Sequence, residues 1–386
     1  MAAAAGNSYV VLDLFDLRAD ISFMDQPLPS LPRKGRGAVS NAAGRFEPAT
    51  LVAIDDGWGS ADAAAPPLDT QYLRDNSKTV IARNTSPDIG FDRSINPYRG
   101  CEHGCIYCFA RPTHAYLGFS PGLDFESRIF VKEDAPALLR AELSKPSYRP
   151  KPIALGVNTD AYQPIERKLG LTRRILEVLY EFRHPVTLIT KSALIQRDID
   201  ILAAMARDRL AGVAVSVTTL DRDLARRMEP RAATPERRLE TIAALAAAGI
   251  PTSVMAAPMI PALNDAELEA ILEAAVARGA SSAGYVLLRL PLELAGLFEE
   301  WLEANFPGKA KHVMSLIKQS CDGKAYQSEF GTRMRGTGPY AEMLRIRYEA
   351  ACHRLGLNRR RDGWRLDCTQ FRVPAKVKET AQLSLF

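Results

Sequence analysis

Between residues 92 and 305 apolar positions follow two alternating rhythms. Short runs rich in β-branched residues occur at 95 to 98, 152 to 157 (PIALGV), 186 to 190 (VTLIT), 213 to 218 (VAVSVT), 252 to 257 (TSVMAA) and 284 to 289 (GYVLLR). Longer stretches with helical spacing separate them: LTRRILEVLYEF, ALIQRDIDILAAMARD, TPERRLETIAALAAAG and NDAELEAILEAAVARG. Thr234 followed by Pro235 reads as an N-cap and a helix-starting proline, with Gly249 as the stop. Strand and helix alternating in this way predict an α/β fold with a parallel sheet curled into an open barrel. An ordinary doubly wound sheet is the alternative. In the barrel, chemistry belongs at the C-terminal ends of the strands.

Composition changes this picture at the two ends. Residues 1 to about 75 are rich in Ala, Gly, Pro and Asp and bury little apolar surface, so the expected division is a loosely ordered arm at 1–75 and a core at 76–308. A basic extension at 309–376 and a mobile tail at 377–386 complete it. Lys34, Arg36 and Arg45 in the arm are either phosphate contacts or solvated charges. The formal charge is +5, yet the stretch from Lys309 onward has 16 Lys and Arg against 7 Asp and Glu, leaving −4 for the rest. That asymmetry suits a nucleic-acid-facing segment, or serves solubility alone. No apolar run approaches membrane-spanning length and no basic segment precedes an apolar stretch at the N-terminus, so a cytoplasmic protein without membrane contact is expected.

The chemistry concentrates in NPYRGCEHGCIYCFARP, where Cys101, Cys105 and Cys108 form a CxxxCxxC. Thiolates are the soft ligands that iron–sulfur clusters prefer, and Gly104 lets the chain fold back so that the sulfurs converge. Three thiolates can hold three irons of a [4Fe-4S] cluster and leave the fourth open. Structural zinc wants four ligands and would have to recruit His103, His114 or a distant cysteine, so zinc is the runner-up. Six cysteines, three of them in one loop, are not a disulfide framework.

With YCF at its end, this run resembles the radical S-adenosylmethionine (radical SAM) superfamily. The resemblance implies a partial (β/α)6 TIM-like barrel with N- and C-terminal extensions, a [4Fe-4S] cluster on Cys101, Cys105 and Cys108, and S-adenosyl-L-methionine as second cofactor. It further implies that the chain around Tyr107 and Phe109 contacts adenine, although both rings serve equally as loop packing. Asn158, Thr159 and Asp160 stand where the superfamily has a short polar motif for the methionine amino group, but they depart from its glycine-glycine-glutamate pattern. Lys191 and Ser216 match the residues that bind cofactor carboxylate and ribose in the branch containing spore photoproduct lyase. Glu229 and Arg231, and Met255, Pro258 and Asn264, are weaker candidates for closing over the cofactor.

Taken with TDAYQPIE and MEPRAATPERR, the cysteine segment resembles a narrower group, the DNA repair photolyase-like relatives of spore photoproduct lyase. An enzyme, a lyase in a repair-like reaction, is what this implies. One departure bears on mechanism: no cysteine occurs from Phe109 to Ser320, where that lyase has its hydrogen donor. Tyr116, Tyr148, Tyr162 or Cys321 is then left for the role.

At the end of the chain Gln382, Leu383, Ser384, Leu385 and Phe386 resemble the pentapeptide by which bacterial repair proteins dock on the sliding clamp. Ahead of it, Arg333, Arg335, Arg345, Arg347, Arg359, Arg360 and Arg361 with Tyr340 and Trp364 suit phosphate contact and base stacking. The expected partners are therefore a nucleic acid, DNA because of the clamp-like tail, a sliding clamp, and a reductant such as flavodoxin or ferredoxin. Two rival readings stand beside this one: radical modification of RNA or protein, and a non-catalytic iron–sulfur DNA-binding or sensing protein.

Overall fold

A computed structural model describes residues 9–13, 32–47, 49–53, 68–359 and 365–375. Seven strands form the main sheet: β1 (Ile81–Arg83), β2 (Arg93–Ile95), β3 (Ile153–Leu155), β4 (Val186–Thr190), β5 (Ala211–Ser216), β6 (Thr252–Met259) and β7 (Ser282–Leu287). Their order is β7-β6-β5-β4-β3-β2-β1, with β2 through β7 parallel and β1 antiparallel on the edge. Sequential parallel neighbours require a helical return after each strand. Helices α1 (Leu171–Glu181), α2 (Ile199–Arg207), α3 (Pro235–Ala247) and α4 (Leu268–Val276) supply four of these. This is the open α/β barrel that the strand and helix pattern predicts, not a doubly wound sheet.

Local chemistry explains the boundaries. Pro97 cannot donate to a ladder, so the run expected at 95 to 98 divides: Arg93–Ile95 stays in the main sheet and Tyr98–Arg99 turns away to pair with Arg128–Val131. The Thr234 hydroxyl accepts from the Arg237 N–H at 3.4 Å, with Pro235 in the first turn of α3. In α1, Leu171, Ile175, Leu176, Val178 and Leu179 are buried at helical spacing against Leu155, Leu188 and Val213 of the strands.

A second core lies under the cysteine loop. Ile106 of that loop packs with Met228, Ile260, Phe298, Trp301 and Val313, bringing in helices α5 (Leu294–Asn305) and α6 (Pro307–Gln319). Residues 32–47 fall within the expected arm, yet Arg36 to Val39 are buried. The backbone N–H groups of Gly37 and Ala38 donate to Glu126 at 2.9 and 2.8 Å.

The C-terminal extension begins with a strap across the open side of the barrel. Leu287 of β7 donates its N–H to the Met334 carbonyl at 2.9 Å. Gly331 donates to Asp88, in the β1–β2 connection, at 2.7 Å, and Arg333 pairs with the same carboxylate. Next comes α7 (Gly338–Leu355). Residues 365–375 then pack at the opposite end, where Phe371 meets Tyr148, Phe182 and His184. No helix among the described residues is long and apolar enough to cross a membrane.

Candidate cluster and cofactor site

The loop carrying Cys101, Cys105 and Cys108 leaves the end of β2 and is held from beneath. Arg111 has no solvent exposure. Its Nε donates to the Cys105 carbonyl at 2.9 Å, its Nη2 to the Gly104 carbonyl at 3.2 Å, and its Nη1 to the carbonyls of Pro121 and Gly122 at 3.1 and 2.9 Å. Its charge is balanced by Glu126, equally buried. Gly104 has φ +67°, and a β-carbon there would lie 2.7 Å from a Glu126 carboxylate oxygen. Both conformation and space therefore call for glycine.

The donor set fits an iron–sulfur cluster. All three cysteines are free thiols, and the backbone N–H of Asp160 donates to the Cys101 sulfur. Burial pushes the thiols of Cys101 and Cys105 up, so ionising them needs a compensating cation, which cluster iron provides. Among the described residues no three His, Cys, Asp or Glu side chains converge tightly enough for a single metal ion. His103 is buried with Nδ1 3.4 Å from Asp160, and burial lowers its pKa to about 4. His114 lies among the rings of Phe119, Phe125 and Phe130.

The strand ends bring a buried network against the loop. Tyr107 donates its hydroxyl to Glu229, which also accepts from the Thr218 hydroxyl at 2.6 Å and pairs with Arg238. Burial pushes the Glu229 carboxyl up, against the pull of Arg238. The Lys191 ammonium stands 5.6 Å from the centre of the Tyr107 ring. Its charge lowers the pKa of Cys105, and no carboxylate pairs with it among the described residues. Phe109 is 42 % exposed and faces outward, with Arg289 stacked on it at 5.3 Å.

Several expected contacts are directed inward instead. Asp160 accepts from the Tyr162 N–H (2.8 Å), the Thr190 hydroxyl (2.7 Å) and the Lys191 N–H (2.7 Å), and it faces His103. Asp160 therefore ties the strand-end turn to β4 and to the cysteine loop. Thr159 donates to the Tyr98 carbonyl at 2.7 Å, and Ser216 to the Ala257 carbonyl at 3.2 Å. Asn158 is exposed and uses its backbone N–H on Asn96. Asn264 donates to the carbonyls of Thr218 and Pro258, bracing the loop after β6. Tyr148 bonds His184 at the N-terminal end of the barrel, so it is remote from the cysteine loop. Tyr162 points to Asp198.

Several arginines of the basic extension make ion pairs within the fold. Arg345 pairs with Glu342 and Glu349, Arg347 with Glu269 and Arg333 with Asp88, while Tyr340 donates to Asp265. Arg354 pairs with Glu273 in the same way, so these four arginines are engaged within the fold. Arg360, Arg361, Trp364 and the pentapeptide Gln382 to Phe386 lie outside the described residues.

An open parallel barrel with a three-thiol loop on its strand-end face defines a class of enzymes that bind an iron–sulfur cluster there. The Radical SAM superfamily model matches residues 95–275, and the chain belongs to that family. An uncharacterised protein of Mycobacterium tuberculosis is 41% identical over 233 residues, covering 60% of this chain and 68% of the relative. One from Methanocaldococcus jannaschii is 30% identical over 173 residues, covering 45% and 62%. Spore photoproduct lyase complexed with dinucleoside spore photoproduct shares the fold, with a TM-score of 0.54 at 14% identity over 74% of this chain and 80% of that one. Membership implies use of S-adenosylmethionine and an iron–sulfur cluster, and the protein is a radical SAM enzyme.

Proposed function

We propose that the enzyme reductively cleaves S-adenosylmethionine at a [4Fe-4S] cluster held by Cys101, Cys105 and Cys108, and that its substrate is DNA in a repair-like reaction. The observation that carries the first part is three free thiols on one loop, braced by a buried ion pair at the strand-end face of the barrel. A cluster held by Cys101, Cys105 and Cys108 would supply the one electron that cleaves the sulfonium carbon–sulfur bond of S-adenosylmethionine, leaving methionine and a 5'-deoxyadenosyl radical. Lys191 binds the methionine carboxylate, because its ammonium lies beside Tyr107 and no carboxylate among the described residues pairs with it. Main-chain groups around Tyr107 and Phe109 meet the adenine, and the Tyr107–Glu229–Arg238 network keeps that stretch in place and water out. A reductant of the flavodoxin or ferredoxin class supplies the electron.

The DNA part rests on the shared fold with an enzyme solved with a dinucleoside lesion, on the exposed ring of Phe109, and on the clamp-like pentapeptide. Residues 76–308 act as the catalytic core, 309–376 as a covering extension and 377–386 as the clamp-docking tail. The test is anaerobic 5'-deoxyadenosine formation by reduced, reconstituted protein with no substrate, undamaged DNA, ultraviolet-damaged DNA or RNA. Stimulation by damaged DNA is the expected result; stimulation by RNA alone overturns the DNA reading. Retained cofactor cleavage in Cys105→Ala would refute the cluster assignment. A peptide spanning 376–386 that gives no saturable heat with purified clamp removes the docking role.

A further inference from the structure

Arg289 differs from the other withdrawn arginines of the core. Arg111, Arg238 and Arg347 each face a glutamate. Arg289, two residues beyond β7 on the strand-end side, has no carboxylate within ion-pair distance among the described residues. Its side chain is half-buried, and its Nε is shielded from solvent without any partner. Nη1 reaches only the Met334 sulfur at 3.3 Å, and Nη2 only the Tyr326 hydroxyl at 3.4 Å. Asp88 feels its charge but is already engaged by Gly331 and Arg333 of the strap.

A guanidinium drawn out of water without a counter-charge is costly. Five N–H donors with two weak acceptors leave its fork open to a bidentate oxyanion. The fork is also pre-oriented: its central carbon lies 5.3 Å from the Phe109 ring centre and 5.9 Å from that of Tyr326. Phe109 adjoins Cys108 in sequence and offers a flat, half-exposed face beside the guanidinium. An anion site next to an aromatic platform at the mouth of the barrel matches a phosphodiester with its neighbouring base.

We propose that Arg289 holds a backbone phosphate of the substrate strand while Phe109 stacks the adjoining base, with Tyr326 adding a hydroxyl to the same phosphate. This site rests on the nucleic-acid reading above and adds to it where the strand lies. The segment 326–335, through Tyr326, Met334 and its ties to Asp88, forms the outer wall of the site. Arg289 is a substrate-positioning residue in this assignment, separate from the cofactor ligands.

The test is fluorescence anisotropy of a labelled single-stranded DNA oligonucleotide with full-length, reconstituted protein across a salt series, for wild type, Arg289→Gln, Arg289→Lys and Phe109→Ala. Losing a charge-assisted bidentate contact should weaken binding by about tenfold to a hundredfold in Arg289→Gln and reduce the salt slope by about one. Arg289→Lys should keep the wild-type slope with weaker binding, and Phe109→Ala should weaken binding without changing the slope. Thermal melting of each variant separates misfolding from lost contact, and a slope that falls in Arg289→Gln but is kept in Arg289→Lys is a result that a purely structural arginine does not produce. Wild-type affinity and slope in a folded Arg289→Gln overturn the site and leave the nucleic-acid reading standing. Absence of binding by wild type to DNA and RNA strands alike overturns that reading and the site with it.

Discussion

Arg111 and Glu126 form an ion pair in which neither side chain has any solvent exposure. The pair joins three stretches of chain: the cysteine loop through the carbonyls of Gly104 and Cys105, the turn at Pro121 and Gly122, and the N-terminal segment at Gly37 and Ala38. A buried pair of this kind adds little stability over a well-packed apolar pair, but removing one member strands the other charge. Arg111→Ala should therefore lose about 3–5 kcal/mol in denaturant unfolding, and iron incorporation per chain should fall because the loop loses its support. A loss under about 1 kcal/mol would mean that the pair behaves as a surface contact and that the loop is held by something else.

Gly37 tests whether the N-terminal segment is part of the site's scaffold. A β-carbon at this position would overlap the Gly104 carbonyl oxygen, whereas one at Gly90 would meet nothing within 4 Å. Gly37→Ala should therefore cost about 1–3 kcal/mol by overpacking and should speed tryptic cleavage after Lys34 and Arg36, with Gly90→Ala close to wild type. Equal proteolysis of the two variants would show that residues 36–38 detach freely.

These contacts show where the sequence was legible. Strand and helix rhythm set out the barrel and its order, because β2, β4, β5 and most of β6 alternate buried and half-buried positions and the helices between them bury apolar residues at helical spacing. The cysteine loop was legible because its chemistry is compressed into eight residues. The supports were not: Arg111, Glu126, Thr218 and Arg238 come from separate segments, and no local pattern distinguishes a buried arginine from an exposed one. Composition gave no sign of the packing of Arg36 to Val39 for the same reason. A glycine that allows two backbones to touch, as Gly37 does, reads in sequence like a glycine of a flexible linker. Asp160 follows β3, and the three donors to its carboxylate come from residues that only the fold brings together.

Lys191 and Asp160, adjacent through the Lys191 N–H, should respond in opposite ways. Lys191→Met removes an unpaired cation next to Tyr107 and should weaken S-adenosylmethionine binding by about tenfold to a hundredfold, measured calorimetrically on anaerobic reconstituted protein with iron content unchanged. Asp160→Asn replaces an acceptor of three hydrogen bonds by a group that must donate with one end. It should lower stability by about 2–3 kcal/mol while leaving cofactor affinity, corrected for folded fraction, near wild type. Loss of affinity in Asp160→Asn alone would restore the carboxylate as the ligand contact.

His184 provides a pH test at the far end of the barrel. Its Nδ1–H donates to the Pro185 carbonyl at 3.0 Å, its Nε2 accepts from the Tyr148 hydroxyl at 2.8 Å, and Phe371 packs edge-on against the ring. Burial lowers its pKa from 6.5 to about 4, partly opposed by the Pro185 carbonyl and reinforced by Arg93. Above the unfolded value, both states hold a neutral imidazole and pH has no effect through this group. Between that value and about 4, the unfolded chain takes up a proton that the folded chain refuses, so stability falls by up to about 1.4 kcal/mol per pH unit. His103 and His114 have similarly lowered values and steepen the acid limb further. His184→Gln should be less stable near neutrality, yet its unfolding free energy should decline less steeply between about pH 6.5 and about pH 5, by roughly one proton's worth of slope. Parallel curves for wild type and variant would show that His184 is protonated in the folded protein, with Tyr148 turned away to make room.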